Sequence, residues 1–271
     1  MATPLTGVVV LGSNGEAVLL DEEESDRAIA AARDEVPAGR SFLVGTGRES
    51  TRATIQATRR AAALGADAVL VRTPGFFKPQ MDVDAFVRHY TLVADASPVP
   101  ILLYNFTALT GVSLPVEAAA RLALHPNVVG MKESGGDVER IADLIAQTPD
   151  DFSVLAGSPS TFLPALRLGA TGGILAISAI VPSACLRLFD LARAGRFAPQ
   201  FNDAQAVADQ LLPLAKLLSA HGVPGLKAAL NLVGCDVGWP RSPLAPLGES
   251  TVREFEGALS RFEEIHGHVA S

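Results

Sequence analysis

Short apolar runs without polar alternation recur along the chain, each followed by a longer amphipathic stretch, and this recurrence restricts the fold more than any other feature. The runs are Gly7–Leu11, Phe42–Val44, Ala68–Val71, Ile101–Tyr104, Val128–Met131, Ser153–Ala156 and Gly173–Ile177. A strand that is apolar on both faces must be covered on both faces, as in a parallel sheet clothed by helices. The intervening stretches predict helices over Asp21–Val36, Ser50–Leu64, Asp82–Ala94, Pro115–Leu124, Asp137–Ala146, Thr161–Leu168 and Ser183–Ala194. Ser50 and Asp82 suit helix caps, Pro115 a first turn, and Gly65, Gly169 and Gly195 positions just past helix ends. Beyond Gly195 the strand pattern stops, and Asp203–Leu218, Gly225–Val233 and Ser250–Ile265 predict a helical tail.

Repeated βα units allow a doubly wound sheet or a barrel. A nucleotide-binding wound sheet wants a glycine fingerprint after its first strand, and Gly12-Ser13-Asn14-Gly15 is not one. In a barrel, several strand ends converge on one site. Here the predicted strands end in Ser13 and Asn14, Thr46, Thr73, Tyr104 and Asn105, Lys132, and Gly157. The expectation is therefore an α/β fold, a TIM barrel over residues 1–195, with residues 196–271 as a helical extension packed on it in one domain unit.

About half of the 271 residues are apolar, enough for a full core. The net charge of -7 and scattered arginines argue against a nucleic-acid surface. No apolar run approaches the roughly 20 residues of a membrane span, and no signal-peptide pattern opens the chain. Cys185 and Cys235 suggest neither a disulfide framework nor a metal cluster, so a cytoplasmic protein without metal or cofactor is expected.

Lys132 is the sharpest candidate. It follows Val128-Val129-Gly130-Met131 at the end of a buried strand. Burial lowers an ammonium pKa, and a neutral amine can attack a carbonyl to form an imine. A plainer reading has the lysine snorkelling to solvent or pairing with Glu133. Tyr104 ends the preceding strand, where it could relay a proton or simply bond to backbone. The Gly12–Glu16 turn offers hydroxyl, amide and backbone donors for a carboxylate, or serves only as a helix-capping turn. Gly157, Gly172 and Gly173 permit close backbone approach to a ligand.

Taken together, these strings resemble a known family. Gly12-Ser13-Asn14-Gly15-Glu16 is similar to the Gly-Thr-Thr-Gly-Glu type motif of the dihydrodipicolinate synthase/N-acetylneuraminate lyase family. Tyr104-Asn105 with Thr110-Gly111, and Gly130-Met131-Lys132-Glu133-Ser134-Gly135-Gly136-Asp137, match at a similar spacing. The likeness continues through Pro224-Gly225-Leu226-Lys227 and Arg241-Ser242-Pro243-Leu244. Within the family, Ser13-Asn14 and the string after Lys132 look most like 4-hydroxy-2-oxoglutarate aldolases. The resemblance implies that Lys132 forms the imine and Tyr104 relays protons. It implies that Ser13 and Asn14 bind the pyruvate carboxylate, while Gly157 and Ile174 line the site. It also implies a homo-oligomer, dimer or tetramer, acting on a small 2-oxo acid.

Departures from the family pattern matter as much. Leu109 stands where the synthases carry an arginine for the aldehyde's carboxylate. Phe76 stands where a second tyrosine usually crosses the subunit interface, so a water or Ser13 takes its part, or turnover is slow. Thr107 replaces a usual proline. The expected reaction is cleavage of 4-hydroxy-2-oxoglutarate to pyruvate and glyoxylate. Alternatives are a 2-keto-3-deoxy sugar-acid aldolase, dihydrodipicolinate synthase, or an impaired paralogue that binds a 2-oxo acid as a sensor or structural partner. Finally, Thr3-Pro4-Leu5-Thr6-Gly7 matches the turn after the family's first helix, which makes Met1 read as an internal start or a natural shortening. The first βα unit then has no counterpart here, and a gap is expected between the Gly7–Leu11 and Gly173–Ile177 strands.

Overall fold

The structure is a computed structural model that describes residues 4–194 and 200–262. Seven strands lie in chain order: β1 (Gly7–Val10), β2 (Ser41–Gly45), β3 (Ala68–Arg72), β4 (Ile101–Asn105), β5 (Val128–Glu133), β6 (Ser153–Ala156) and β7 (Gly172–Gly173). Every neighbouring pair is parallel. The sheet curls as an incomplete barrel of the (β/α)8 type. Among the described residues β1 pairs only with β2, and β7 only with β6, so the seam expected between the first and last strands is open there.

The helices connecting these strands are α1 (Glu22–Glu35), α2 (Thr51–Ala63), α3 (Val83–Ala96), the single turn α4 (Thr107–Thr110), α5 (Val116–Leu122), α6 (Val138–Gln147) and α7 (Pro159–Leu168). Their starts follow local chemistry. Asp21 and Glu24 form a reciprocal capping box on α1, while Ser50, Asp82 and Asp137 accept bonds from the first turns of α2, α3 and α6. Gly169 ends α7 with φ 115°, a conformation that favours glycine.

Strand alternation sorts side chains into two rows. Val69, Val71, Ile101, Leu103, Met131, Val154 and Ala156 face the covering helices and are at most 2% exposed. Leu70, Leu102 and Tyr104 form the interior row, flanked by half-buried Val9, Leu43, Val129 and Leu155. A register irregularity at Ile101/Leu102 sets Tyr104 opposite Lys132 and Asn105 opposite Glu133. Without that extra residue, alternation would put the tyrosine and the lysine on opposite faces.

The seventh strand is shorter than the expected Gly173–Ile177. It ends at Gly173, and Ala176–Ala179 form a 3-10 turn with Ile177 fully buried. A short apolar run signals burial, not conformation, and the pattern cannot separate the two.

Contacts divide the chain into two compact units. One comprises Thr6–Gly12 and Leu20–Ile174, which holds the whole sheet. The other comprises Met1–Leu5, Ser13–Leu19 and Leu175–Ser271. It contains α8 (Pro182–Arg193), α9 (Gln200–Leu232) and α10 (Glu249–Leu259). α9 is two helices joined at Gly222, whose φ of 53° and ψ of -134° break the helical path. The boundary expected at residues 195–196, the Gly195 helix stop, Thr3 and the end of the Ser250–Ile265 helix lie outside the described residues. Contacts place α8 with the tail helices.

Candidate active site

β5 carries Lys132 within the strand, one residue before its end. The side chain is buried, and its amine lies 4.5 Å from the centroid of the Tyr104 ring on β4. Burial pushes the Lys132 amine down to a pKa of about 8. That leaves about a tenth of it neutral at pH 7, against roughly one in three thousand for an ordinary lysine. Snorkelling to solvent does not describe this side chain. Nor does a pair with Glu133: neighbouring strand residues point to opposite faces, and the Glu133 carboxylate is bonded to Arg140 and Asn105.

The next strand closes over the lysine stem. Leu155 on β6 is the register partner of Lys132, and Gly157 follows that strand. A Cβ at Gly157 would meet the Ser134 hydroxyl at 1.8 Å and Lys132 Cε at 2.9 Å. Glycine is therefore required there for space. Its N–H donates to the Glu133 carbonyl at 2.8 Å, and the Ile174 N–H donates to the Ala156 carbonyl at 2.9 Å, tying both positions to the strand ends. The Ser134 hydroxyl is buried and has no hydrogen-bond partner among the described residues. A polar atom so placed is expensive unless a water or a ligand meets it.

Beyond β4 and β3 the exposed residues include Leu109, Phe76 and Phe77, with Lys78 beside them. Leu109 on α4 is 65% exposed and supplies no charge. Phe76 is 77% exposed and stacks edge-on against Phe77 at 5.1 Å. Its loop is held from below: the Glu49 carboxylate accepts from the Gly75 and Phe76 N–H groups, each at 2.9 Å, and from Arg72 at 2.8 Å. These bonds hold the Glu49 carboxyl below the ordinary range, against the opposing effect of burial.

Ser13 and Asn14 belong to the other compact unit, in a 3-10 turn over Ser13–Gly15 with Ser13 half-buried and Asn14 exposed. Glu16 anchors this turn. It is 7% exposed and takes a φ of 56°, unusual for a residue with a side chain. One carboxylate oxygen pairs with Lys227 at 2.8 Å, and the other accepts the Arg241 N–H at 2.7 Å. Lys227 also donates to the Trp239 carbonyl at 2.8 Å.

So the sheet brings together Lys132, Tyr104 and Gly157, with Ile174 one bond past the Ala156 ladder. Sequence reasoning had not singled out Ser134, the Glu133 network or the Glu16 anchor. The usable signals were Glu133 directly after Lys132 at the end of an apolar run, and Glu16 closing the Gly12–Glu16 turn. Among the described residues, no group of three or more His, Cys, Asp or Glu could hold a metal ion. No helix among them is long and apolar enough to cross a membrane.

Comparison with known proteins decides the family. The sequence model described as the Dihydrodipicolinate synthetase family matches residues 2–262. The chain belongs to that family. It is an enzyme of the aldolase and lyase type. A 4-hydroxy-tetrahydrodipicolinate synthase from Exiguobacterium sp. is 35% identical over 263 residues, covering 96% of this chain and 87% of the relative. One from Xanthomonas axonopodis pv. citri is 41% identical over 248 residues, covering 89% and 78%. Among solved structures, the 4-hydroxy-tetrahydrodipicolinate synthase of Methylacidiphilum fumariolicum SolV superposes with a TM-score of 0.90 at 31% identity, covering 98% of this chain and 88% of that one.

Proposed function

We propose that this family member is a Schiff-base aldolase that cleaves a 4-hydroxy-2-oxo acid, 4-hydroxy-2-oxoglutarate foremost, to pyruvate and glyoxylate. The observation that carries the reading is the buried Lys132 amine, pushed down to a pKa of about 8 beside the Tyr104 ring. The neutral amine adds to the C2 carbonyl, and Tyr104 gives its proton to the departing hydroxyl, so that loss of water leaves the protonated imine. Tyr104 then accepts the C4 hydroxyl proton. As the C3–C4 bond breaks, its electron pair passes into the imine, releasing glyoxylate and leaving the enamine of pyruvate. Protonation at C3 and hydrolysis return pyruvate and the free amine. In this reading Ser13 and Asn14 are the residues that bind the C1 carboxylate, and Gly157 and Ile174 border the imine. The Ser134 hydroxyl is left to bond a substrate group or a water. The exposed rings of Phe76 and Phe77 support a homo-oligomer, which sedimentation analysis tests.

The preference against aspartate semialdehyde rests on Leu109, which offers no guanidinium to that aldehyde's remote carboxylate, whereas glyoxylate carries its carboxylate on the aldehyde carbon itself. A lost charge-assisted bond is worth roughly 1.5–3 kcal/mol, on the order of tenfold to a hundredfold in binding. Pyruvate release from 4-hydroxy-2-oxoglutarate should exceed condensation of pyruvate with aspartate semialdehyde. The names of the relatives favour the second reading, a 4-hydroxy-tetrahydrodipicolinate synthase. Faster condensation establishes it, and Leu109→Arg should raise condensation under the first. A protein that binds a 2-oxo acid without multiple turnovers is the sensor instead.

A further inference from the structure

Tyr104 and Lys132 are each followed by a polar residue that points away from them. Asn105 and Glu133 are register partners on β4 and β5, and both are fully buried on the helix side of the sheet. The Asn105 amide donates to both Glu133 oxygens, at 2.9 and 3.0 Å. The Gly135 N–H donates to one of them at 2.6 Å, and Arg140 Nε, from α6, donates to the other at 2.7 Å. Arg140 also donates to the Leu114 carbonyl, while the Leu114 N–H donates at 2.9 Å to the Asn105 side-chain oxygen. The network runs from one strand end through Arg140 and Leu114 back to the other.

A buried ion pair of this kind is a poor way to gain stability, because well-packed apolar residues usually do as well. What a planar guanidinium and an amide fork supply is fixed geometry. The backbone ladder ends just here. Past Asn105 and Glu133 the one backbone bond among the described residues that still joins the two strands is Ser134 N–H to the Asn105 carbonyl, at 2.9 Å.

We propose that Glu133, Asn105 and Arg140 are positioning residues that hold the Lys132 amine and the Tyr104 ring in register from the far face of the sheet. This rests on the reading of Lys132 as the imine-forming amine. The network touches no substrate. It sets the separation across which Tyr104 must move a proton at the imine, and a misplacement of about 1 Å at such a step can cost on the order of a hundredfold in rate. Imine formation also uses Tyr104 at the carbinolamine, but water can pass that proton too, so trapping is less demanding of that separation than proton transfer at carbon.

The test compares the parent with Glu133→Gln, with Glu133→Gln/Arg140→Met, which removes both charges together, and with Arg140→Lys, which keeps the cation but loses the planar fork. Four quantities are read: melting temperature, borohydride trapping of pyruvate, exchange of the pyruvate methyl protons in deuterium oxide, and kcat and KM for the 2-oxo acid. The double variant should melt near the parent and trap pyruvate within about threefold of it. Its methyl exchange and kcat should fall roughly tenfold to a hundredfold, with KM within about twofold. Arg140→Lys should lie between. A folded double variant or Arg140→Lys that keeps exchange and kcat within twofold overturns the inference. So do losses of kcat that track melting temperature across the set, which mark structural support only. If the parent traps no pyruvate, the aldolase reading falls and takes this inference with it; a parent that traps beside indifferent variants sinks the inference alone.

Discussion

Gly157→Ala is a one-carbon perturbation aimed at the lysine stem. The added methyl would sit 1.8 Å from the Ser134 hydroxyl and 2.9 Å from both the Ser134 Cβ and Lys132 Cε. Non-bonded heavy atoms tolerate approaches of roughly 3 Å at the least, so the hydroxyl must move by about 1.2 Å. Rotating it away leaves the two carbon contacts, and those require the strand end or the lysine stem to shift. Overpacking of this kind costs about 1–3 kcal/mol, or roughly 2–10 °C in melting temperature for a chain of this size. The same shift moves the Lys132 amine out of line, so borohydride trapping of pyruvate should slow on the order of tenfold to a hundredfold. Adding Ser134→Gly removes two of the three contacts and leaves only one against a flexible stem. The double variant should therefore recover most of the lost melting temperature and trap faster than Gly157→Ala alone. Peptide mapping of the trapped adduct should place it at Lys132. A Gly157→Ala protein with parental trapping rate and parental melting temperature would falsify the contact geometry on which this rests.

Other expectations follow from titration and from the second unit. Trapping of pyruvate should rise with pH through about 8, because only the neutral Lys132 amine attacks; a midpoint near 10 would mean that the amine is not desolvated. Lys227→Met leaves the buried Glu16 carboxylate without its cation, so the melting temperature should fall by on the order of 10 °C. An unchanged melting temperature would mean that the pair does not anchor its unit. His89 is buried, bonds Thr51 at 2.9 Å and is pushed down to a pKa of about 4, mainly by burial. Its folded pKa lies below the ordinary value, so the stability it contributes is whole above about 6.5 and is lost as pH falls toward 4. The loss is roughly 3 kcal/mol. Denaturant unfolding of His89→Gln should show a shallower slope over that window, and an identical slope would assign the acid sensitivity elsewhere.

Much of this protein was legible from residue order. Parallel strands buried on both faces leave contiguous apolar runs, so six of the seven strands were found within one or two residues of their ends. A lysine closing such a run stands out because an ammonium is costly there, and the glycine after β6 marks a close approach. Tertiary structure decided what depends on partners far apart in the chain. The irregularity at Ile101/Leu102 puts Tyr104 on the face of Lys132, and no local pattern announces it. Glu133 could have paired with its neighbour Lys132; strand alternation turns it toward Arg140 on α6 instead. Glu16 meets Lys227 only because the tail folds back within its own unit. The apolar residues after Gly173 were bound to be buried, but whether as strand or 3-10 turn depended on what surrounds them. Hydrophobic pattern records how much of a side chain is hidden, whereas hydrogen-bond partners and register are set by the other segments that come to lie beside it.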